Sequence, residues 1–477
     1  MEKSSETKKL KWYQKIIYGT GDWSLSSFTT IRALLYTIFL TDVVRLNPGL
    51  ASFSALIGVA WDAINDPLIG AINDRIRSKW GRRRPFLLLF AIPFGLSFLL
   101  LWWVPPTDSQ AIKMIYVTLA FMFSDTLHTL VNVPYLALIP DISHDYDERT
   151  SLSGYRVLFN LLATLVTAVA APTIVNEVVR NGGNPQQGYI LVAGIFGGIA
   201  AIPFLVIPFL FHETKTDLGE PEKIDMKRMW QVIHRNKPFL YVTGLYSFTW
   251  IAFDLVSRML PFFLVYWVGH GDSLASRRLL GQDFALESLA MGGLMVVSVI
   301  SIPLWTFLSA HLGKKITYII GMAFWIVVLM ALLFVQPGQV NLTIFLSALA
   351  GLSVATASIL PESMLPDSVD WDEYTYGERN EGLFFGAITL FRKLSSALAG
   401  FIALQVLNIF GYQAPPEGVT VFQQSHSALT AIRWLSGPIN AVLVLVAIII
   451  AWYYPLTREI YQKIRAELDA RQTNFAP

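Results

Sequence analysis

The sequence predicts an all-α integral membrane protein with twelve transmembrane helices in two six-helix halves. Of its 477 residues, 54% are hydrophobic and only 15% are charged, whereas soluble domains carry about 25% charged residues. Apolar stretches of about 20 residues, the length that crosses a bilayer, recur twelve times. A charged segment, 212–237, separates the first six stretches from the last six. These observations exclude a soluble enzyme of two or three domains.

Each apolar stretch is predicted to be a helix, because lipid offers no water to satisfy backbone polar groups. The domains follow from this pattern: residues 1–211 form the first bundle, 212–237 a cytoplasmic middle loop, and 238–477 the second bundle. The predicted spans are 20–44, 50–72, 86–104, 113–140, 151–178, 189–211, 239–267, 289–310, 316–335, 341–360, 383–411 and 430–454.

The distribution of basic residues predicts that both termini lie in the cytoplasm. Five lysines precede Ile16, and no apolar core lies before it, so residues 1–15 are an arm and not a cleaved signal peptide. Loops assigned to the cytoplasm hold 25 of the Lys and Arg residues, and the opposite loops hold five. Such a bias places the basic loops inside.

An internal repeat relates the two halves. Ile139-Pro140-Asp141 follows the fourth span, and Leu365-Pro366-Asp367 follows the tenth, while Arg156 and Arg392 come at similar distances behind them. Six-helix repeats in parallel order are typical of major-facilitator transporters, which bind substrate at the midplane between their halves. The sequence therefore predicts a transporter with the major facilitator fold.

Charges within the predicted spans mark candidate sites, since each costs roughly 2.5–3.5 kcal/mol on insertion scales. Asp62 and Asp66 are four residues apart and share a helical face. Two like charges held close together favour binding of a proton or a cation between them, and oxygen ligands suit a hard cation such as Na⁺. In the fourth span, a polar stripe follows helical spacing: Asp125, His128, Thr129 and Asn132.

Charges in the cytoplasmic loops predict a gate. A basic run after the second span includes Arg77 and Arg83, and acids that follow the fourth and tenth spans include Asp141 and Asp367. We expect ion pairs between these groups to hold the cytoplasmic side closed in the outward-facing state.

The stretch WDAINDP, residues 61–67, closely resembles the glycoside–pentoside–hexuronide:cation symporters, the family that includes the melibiose permeases. The resemblance extends to residues 41–44, to the downstream Arg-Ser-Lys-Trp-Gly-Arg run, to residues 133–135 and 155–156, and to 367–393. It implies a major-facilitator symporter in the bacterial inner membrane, a multi-pass plasma membrane protein that takes up a glycoside, pentoside or hexuronide together with Na⁺ or H⁺ by alternating access.

The resemblance also implies roles for individual residues. Asp62 and Asp66 match the carboxylates of the cation site, where they would bind Na⁺ in a sodium-coupled carrier. The remaining matches are a cation-ligating hydroxyl, an acid and an arginine at the sugar, and a lysine that links both sites: Thr129, Asp22, Arg156 and Lys393.

Two departures leave the coupling ion and the substrate open. Asn132 stands where the melibiose permeases have an aspartate, at a position shared by sugar and cation, and the lost carboxylate makes a proton more plausible. Leu136 replaces a sugar-stacking tryptophan, for which Tyr135 is a candidate substitute. The basic candidates in the cavity favour an anionic sugar over a neutral glycoside, because an arginine can bind a carboxylate through two hydrogen bonds. These candidates are Arg156, Lys393, Arg32 and His128.

Two other function classes compete with sugar symport. A carrier of lysolipids or other amphiphiles would use the same fold, although the polar stripe disfavours it. A membrane enzyme or receptor would need motifs that the sequence lacks, such as a phosphate-binding glycine loop. The chain has no cysteine, so we expect no disulfide, and its net charge of +2 gives no reason to expect a nucleic-acid partner. We also expect no cofactor beyond the coupling cation. We expect the protein to be a monomer in the lipid bilayer.

Overall fold

The computed structural model describes residues 10–75, 78–142, 146–211, 226–279 and 281–474. Its elements in chain order are α1 (Trp12–Ile38), α2 (Pro48–Arg75), α3 (Arg84–Trp102), α4 (Gln110–Ile142), α5 (Tyr146–Arg180), α6 (Pro185–Leu210), α7 (Met226–Arg235), α8 (Lys237–Phe262), β1 (Ser276–Leu279), β2 (Gln282–Ala285), α9 (Leu286–Leu312), α10 (Lys314–Leu333), α11 (Val340–Tyr376), α12 (Glu381–Ile409), α13 (His426–Ser436), α14 (Pro438–Trp452) and α15 (Arg458–Asn474). Short π-helical turns, Phe39–Val43 and Phe263–Val268, continue α1 and α8.

Helices occupy all twelve predicted spans. In the described part of the chain, ten helices are long and apolar enough to cross a membrane, and they correspond to the third to twelfth spans. The helices at the first two spans, α1 and α2, are 27 and 28 residues long and carry the charged candidates. Many large apolar side chains are exposed, among them Leu89, Ile300 and Val327, as expected of a surface that faces lipid. The protein is a multi-pass helical membrane protein.

The chain divides into two compact units. Unit 1 comprises residues 1–219, 272–288 and 413–422, and unit 2 comprises the remaining segments. Inside unit 1, α1 packs along α5 and α6, and α3 packs between α4 and α6. Aromatic side chains fill this core: Trp102 stacks on Tyr189 with ring centroids 5.0 Å apart, and Phe28 contacts Phe94 and Phe98.

Unit 2 repeats the packing order of unit 1. Its helix α8 packs along α12 and α14, and α10 packs against α11 and α14. The hydroxyls of Thr249 and Tyr318 are 2.6 Å apart in its core. The twelfth span breaks into α13 and α14 at Gly437, where a Cβ atom would lie 2.7 Å from the carbonyl oxygen of Leu329. The close approach of these backbones explains why a glycine occupies the break.

Two segments from the second half of the sequence belong to unit 1. The strands β1 and β2 form a short antiparallel hairpin beside the predicted helices. Arg180 at the end of α5 donates a hydrogen bond to Ser276 and forms an ion pair with Asp283. The Thr173 and Ser288 hydroxyls are 2.9 Å apart. No hydrophobic period in the sequence indicated this hairpin, because its strands are short and exposed.

The helix α11 is longer than its predicted span and corrects one assignment. Acids placed in a cytoplasmic loop lie on the last turns of this helix, where they have basic or hydroxyl partners. Lys314 binds Asp367 at 2.7 Å, and Arg379 binds Asp370 at 3.3 Å. Tyr461 of α15 donates to Asp370 at 2.9 Å, and burial together with this bond raises the pKa of Tyr461 to about 12. These ion pairs compensate the negative charges on the last turns of α11.

Candidate substrate and cation site

The first cluster of predicted site residues lies where α1 meets α5. Arg156 donates from Nε and Nη2 to the two carboxylate oxygens of Asp22, which is 8% exposed. Gly19 permits the close approach of these helices, since a Cβ atom there would lie 2.7 Å from the Phe159 ring and 3.1 Å from the Tyr155 carbonyl oxygen. A buried acid held by a two-point arginine contact is a rigid hydrogen-bonding platform.

Tyr135 also belongs to this cluster, and its ring is not exposed for stacking on a sugar. Its hydroxyl lies 2.8 Å from Asp22 Oδ2 and 2.7 Å from the Tyr18 carbonyl oxygen. Its ring stacks on Tyr18 at 4.7 Å, with Arg156 5.4 Å from the ring centroid. The side chain is fully buried. The Tyr135 ring is therefore buried in this structure and its hydroxyl contacts Asp22; its role in substrate binding stays a prediction.

The second cluster joins α2 to α4. Thr129 donates from Oγ1 to Asp66 Oδ1 at 2.9 Å, and Trp61 donates from Nε1 to Thr126 at 2.9 Å. Asp62 lies one turn before Asp66 and is, like it, partly exposed. The structure therefore brings one carboxylate of α2 into contact with a hydroxyl of α4, and a second carboxylate lies one turn away along α2. Oxygen atoms of these kinds are the ligands that a hard cation prefers.

The other residues of the polar stripe lie on the same stretch of α4. His128 stacks on Phe28 with ring centroids 5.2 Å apart, and Asn132 is partly exposed three residues after Thr129. Within the described residues, no group of three or more His, Cys, Asp or Glu side chains could hold a metal ion. A cation at this place would rely on hydroxyl or amide oxygens besides Asp62 and Asp66.

The predicted gate residues are only partly described. Arg77 lies outside the described residues, as does the side chain of Asp141. Arg83 is buried in unit 1 and donates to the Ala137 carbonyl oxygen. Asp367 pairs with Lys314 inside unit 2. The gate between the halves stays a prediction.

The repeated arginines perform the same structural role in each unit. In unit 2, Arg392 of α12 donates to both oxygens of Asp254 on α8, at 2.7 and 3.1 Å, and lies 3.9 Å from the Trp250 ring centroid. This pair matches Arg156 with Asp22 in unit 1, since each joins the first and fifth long helices of its unit. Lys393 follows on α12 and is partly exposed.

Sequence comparison is decisive for the family. The profile described as MFS/sugar transport protein matches residues 17–458. The chain belongs to this family. An uncharacterized symporter of Synechocystis sp. is 30% identical over 99% of both chains. The chain is also 26% identical to the sodium-dependent lysophosphatidylcholine symporter 1-A of Danio rerio, over 96% of this chain and 88% of that one. It is 25% identical to the glucuronide carrier protein homolog of Escherichia coli, over 97% of each.

Family membership confirms the major facilitator fold and the assignment to the symporter class of transporters that the WDAINDP stretch indicated. The relatives are named for different substrates, so the comparison does not decide whether the substrate of this protein is a sugar or an amphiphile. Among the buried contacts of this protein, the contact between Tyr18 and Tyr135 was not predicted from the sequence. A tyrosine four residues before Asp22 on the same helix was the available signal.

Replacing Gly21 by Ala is expected to disturb the Asp22 cluster through packing alone. A Cβ atom at Gly21 would lie 2.5 to 2.6 Å from ring atoms of Tyr135, so the ring must shift and its bond to Asp22 lengthens. We expect a loss of about 1–3 kcal/mol in stability and weaker substrate binding, measured by thermal unfolding and by ligand titration in nanodiscs. Gly198→Ala is the matched control, because no atom lies within 4 Å of its added Cβ. Equal effects of the two substitutions would contradict the packing argument.

Proposed function

We propose that this transporter is a symporter that couples the uptake of a glycoside, pentoside or hexuronide to the inward movement of Na⁺ or H⁺. The observation that carries the proposal is the contact of Thr129 with Asp66, with Asp62 one turn away. Two carboxylates on one helical face repel each other, and a cation or a proton bound between them reduces that repulsion. Occupation of this pair would therefore be strongly favoured by an inward gradient of the coupling ion.

The cluster around Asp22 is the proposed sugar site. Sugar hydroxyls both donate and accept hydrogen bonds, and the Asp22 carboxylate with Arg156 offers acceptors beside donors. Asn132, His128 and Lys393 are further candidates for substrate contact. Cation binding and sugar binding in one carrier strengthen each other to an equal extent, because linkage between two ligands is reciprocal. Transport would then follow by alternating access of a midplane site.

We infer that the protein lies in a bacterial inner membrane as a monomer with both termini in the cytoplasm. The excess of basic residues in alternate loops supports this orientation. Accessibility of single cysteines introduced at Asp108 and at Lys463 would test it, since the chain has no native cysteine. We expect only the cysteine at position 108 to react with an impermeant thiol reagent added to whole cells.

Uptake into proteoliposomes tests the coupling. We expect accumulation of a radiolabelled glycoside when an inward Na⁺ or H⁺ gradient is imposed, and loss of accumulation when an ionophore collapses that gradient. The two gradients, imposed separately, identify the ion. Equal internal and external sugar concentrations under both gradients would refute symport while leaving a facilitative carrier.

A lysolipid carrier is the second candidate, because one relative is named as a lysophosphatidylcholine symporter. Leu136 is 40% exposed at the position where a stacking tryptophan would mark a plain galactoside carrier, and an apolar side chain suits an acyl chain. Competition separates the candidates. Displacement of a bound glycoside by lysophosphatidylcholine at concentrations below its micellar threshold favours the lysolipid, and its absence favours the sugar.

A further inference from the structure

A second buried ion pair in unit 1 involves none of the residues proposed for the sugar and cation sites. Arg32 of α1 donates from Nη1 to Asp125 Oδ1 of α4 at 2.8 Å. Asp125 is 2% exposed, and the Arg32 side chain is 22% exposed. Both residues lie well inside their helices. A charged pair in the middle of two predicted spans is costly, and such a pair is a candidate functional position.

Neither partner of this ion pair uses all of its hydrogen-bonding groups. Arg32 makes one hydrogen bond among the described residues, although a guanidinium has five N–H donors. The second carboxylate oxygen, Asp125 Oδ2, is buried and has no hydrogen-bond partner there. Arginine and a carboxylate frequently close into a two-point contact, as Arg156 and Asp22 do. Arg32 instead keeps an open edge of N–H groups.

Two aromatic rings fix the plane of this guanidinium. The Phe28 ring centroid lies 5.1 Å from Arg32 Cζ, and the Phe121 ring centroid lies 4.7 Å from it. Stacking on aromatic rings orients an arginine and reduces the entropy lost when its edge binds a ligand. The open edge is therefore preorganised, and Asp125 acts as a positioning residue for it.

The pair is also continuous with the proposed cation residues. Asp125 lies one helical turn before Thr129, whose hydroxyl binds Asp66. His128, between them, stacks on Phe28, which also contacts Arg32. A ligand group at Arg32 would thus sit one turn from the contact between α2 and α4.

We propose that the open edge of Arg32 is a second substrate subsite that binds an oxyanion. An oxyanion matches the planar donor edge. Two substrate groups have this chemistry: the carboxylate of an acidic glycoside and the phosphate of a lysolipid headgroup. This proposal depends on the proposed function in one respect: the oxyanion is part of a transported substrate.

Direct binding to purified protein in nanodiscs tests the subsite with two pairs of probes; in each pair the first probe carries an oxyanion (the acidic probe) and the second lacks it (the neutral probe). The sugar probes are methyl β-D-glucuronide and methyl β-D-glucoside, and the lipid probes are lysophosphatidylcholine and a monoacylglycerol of equal chain length. We expect Arg32→Gln to weaken one acidic probe by roughly 10- to 150-fold, the range for loss of a charged hydrogen bond, and to leave its neutral counterpart unchanged within about twofold. The acidic probe that responds identifies the source of the oxyanion.

Two further variants keep the test informative. If Arg32→Gln fails to fold because Asp125 is left unpaired, the double variant Arg32→Gln with Asp125→Asn removes both charges and should show the same selective loss. Arg32→Lys, which keeps the charge but lacks the planar edge, should recover only part of the affinity. Equal losses for the acidic and neutral probes, or no loss for either acidic probe, would overturn the proposal. Binding is measured without an ion gradient, so a failure of coupled transport would not be mistaken for a failure of this subsite.

Discussion

Replacing Asp66 by Asn is expected to abolish the accumulation of substrate under an imposed ion gradient. Asp66 accepts the Thr129 hydroxyl hydrogen bond and is partly exposed, so its carboxylate can exchange that partner for a cation or a proton. An amide carries no charge and does not take up a proton at physiological pH. Loss of a charge-assisted contact costs about 1.5–3 kcal/mol, which is roughly 10- to 150-fold in cation affinity.

The measurement is initial uptake and steady-state accumulation in proteoliposomes with Na⁺ and H⁺ gradients imposed separately. Asp108→Asn is the matched control, because this exposed aspartate of the same unit lies in the loop before α4; we expect it to transport like the parent. Thr129→Val, which removes the hydroxyl while keeping the shape, should weaken cation activation by less than Asp66→Asn does, and Thr129→Ser should retain it. Parental accumulation by Asp66→Asn under either gradient would contradict the assignment of the coupling site.

Removing Arg156 is expected to cost unit 1 much of its stability. Asp22 is buried, and Arg156 neutralises it through two N–H donors. Breaking a buried pair by removing one partner costs about 3–5 kcal/mol, because the other charge stays buried without compensation. We therefore expect Arg156→Gln to unfold at a clearly lower denaturant concentration than the parent and to lose uptake.

A double-mutant cycle separates stability from function at this pair. The variant with Asp22→Asn and Arg156→Gln leaves no uncompensated charge, so it should recover most of the lost stability while substrate binding stays absent. Arg45→Gln is the control, since Arg45 lies 3.8 Å from the highly exposed Glu417 and such surface pairs contribute little. Additive losses in the two single variants and the double variant would contradict a direct pair. Parental binding by the double variant would exclude both residues from the sugar site.

The positions of the helices could be predicted from the sequence because the bilayer imposes a simple rule on them. A span must be apolar for about 20 residues. The twelve predicted stretches all coincide with helices, and in the described part of the chain the helices at the third to twelfth stretches are long and apolar enough to cross a membrane. Helix ends were less predictable. The acids at the end of α11 belong to the helix, since ion pairs with Lys314 and Arg379 compensate their charge. An apolar count takes no account of such pairing.

The sequence by itself also determined the family, through WDAINDP, and the equivalence of Arg156 and Arg392, through the repeat. Only the tertiary structure decided which acid each arginine binds, because Asp22 and Asp254 are more than 130 residues away from them along the chain. It likewise decided that Tyr135 is buried against Tyr18 and that Arg32 keeps an open donor edge. Helical periodicity fixes which residues share a face. The contacts of that face depend on which helices pack together, and short-range sequence patterns do not encode this.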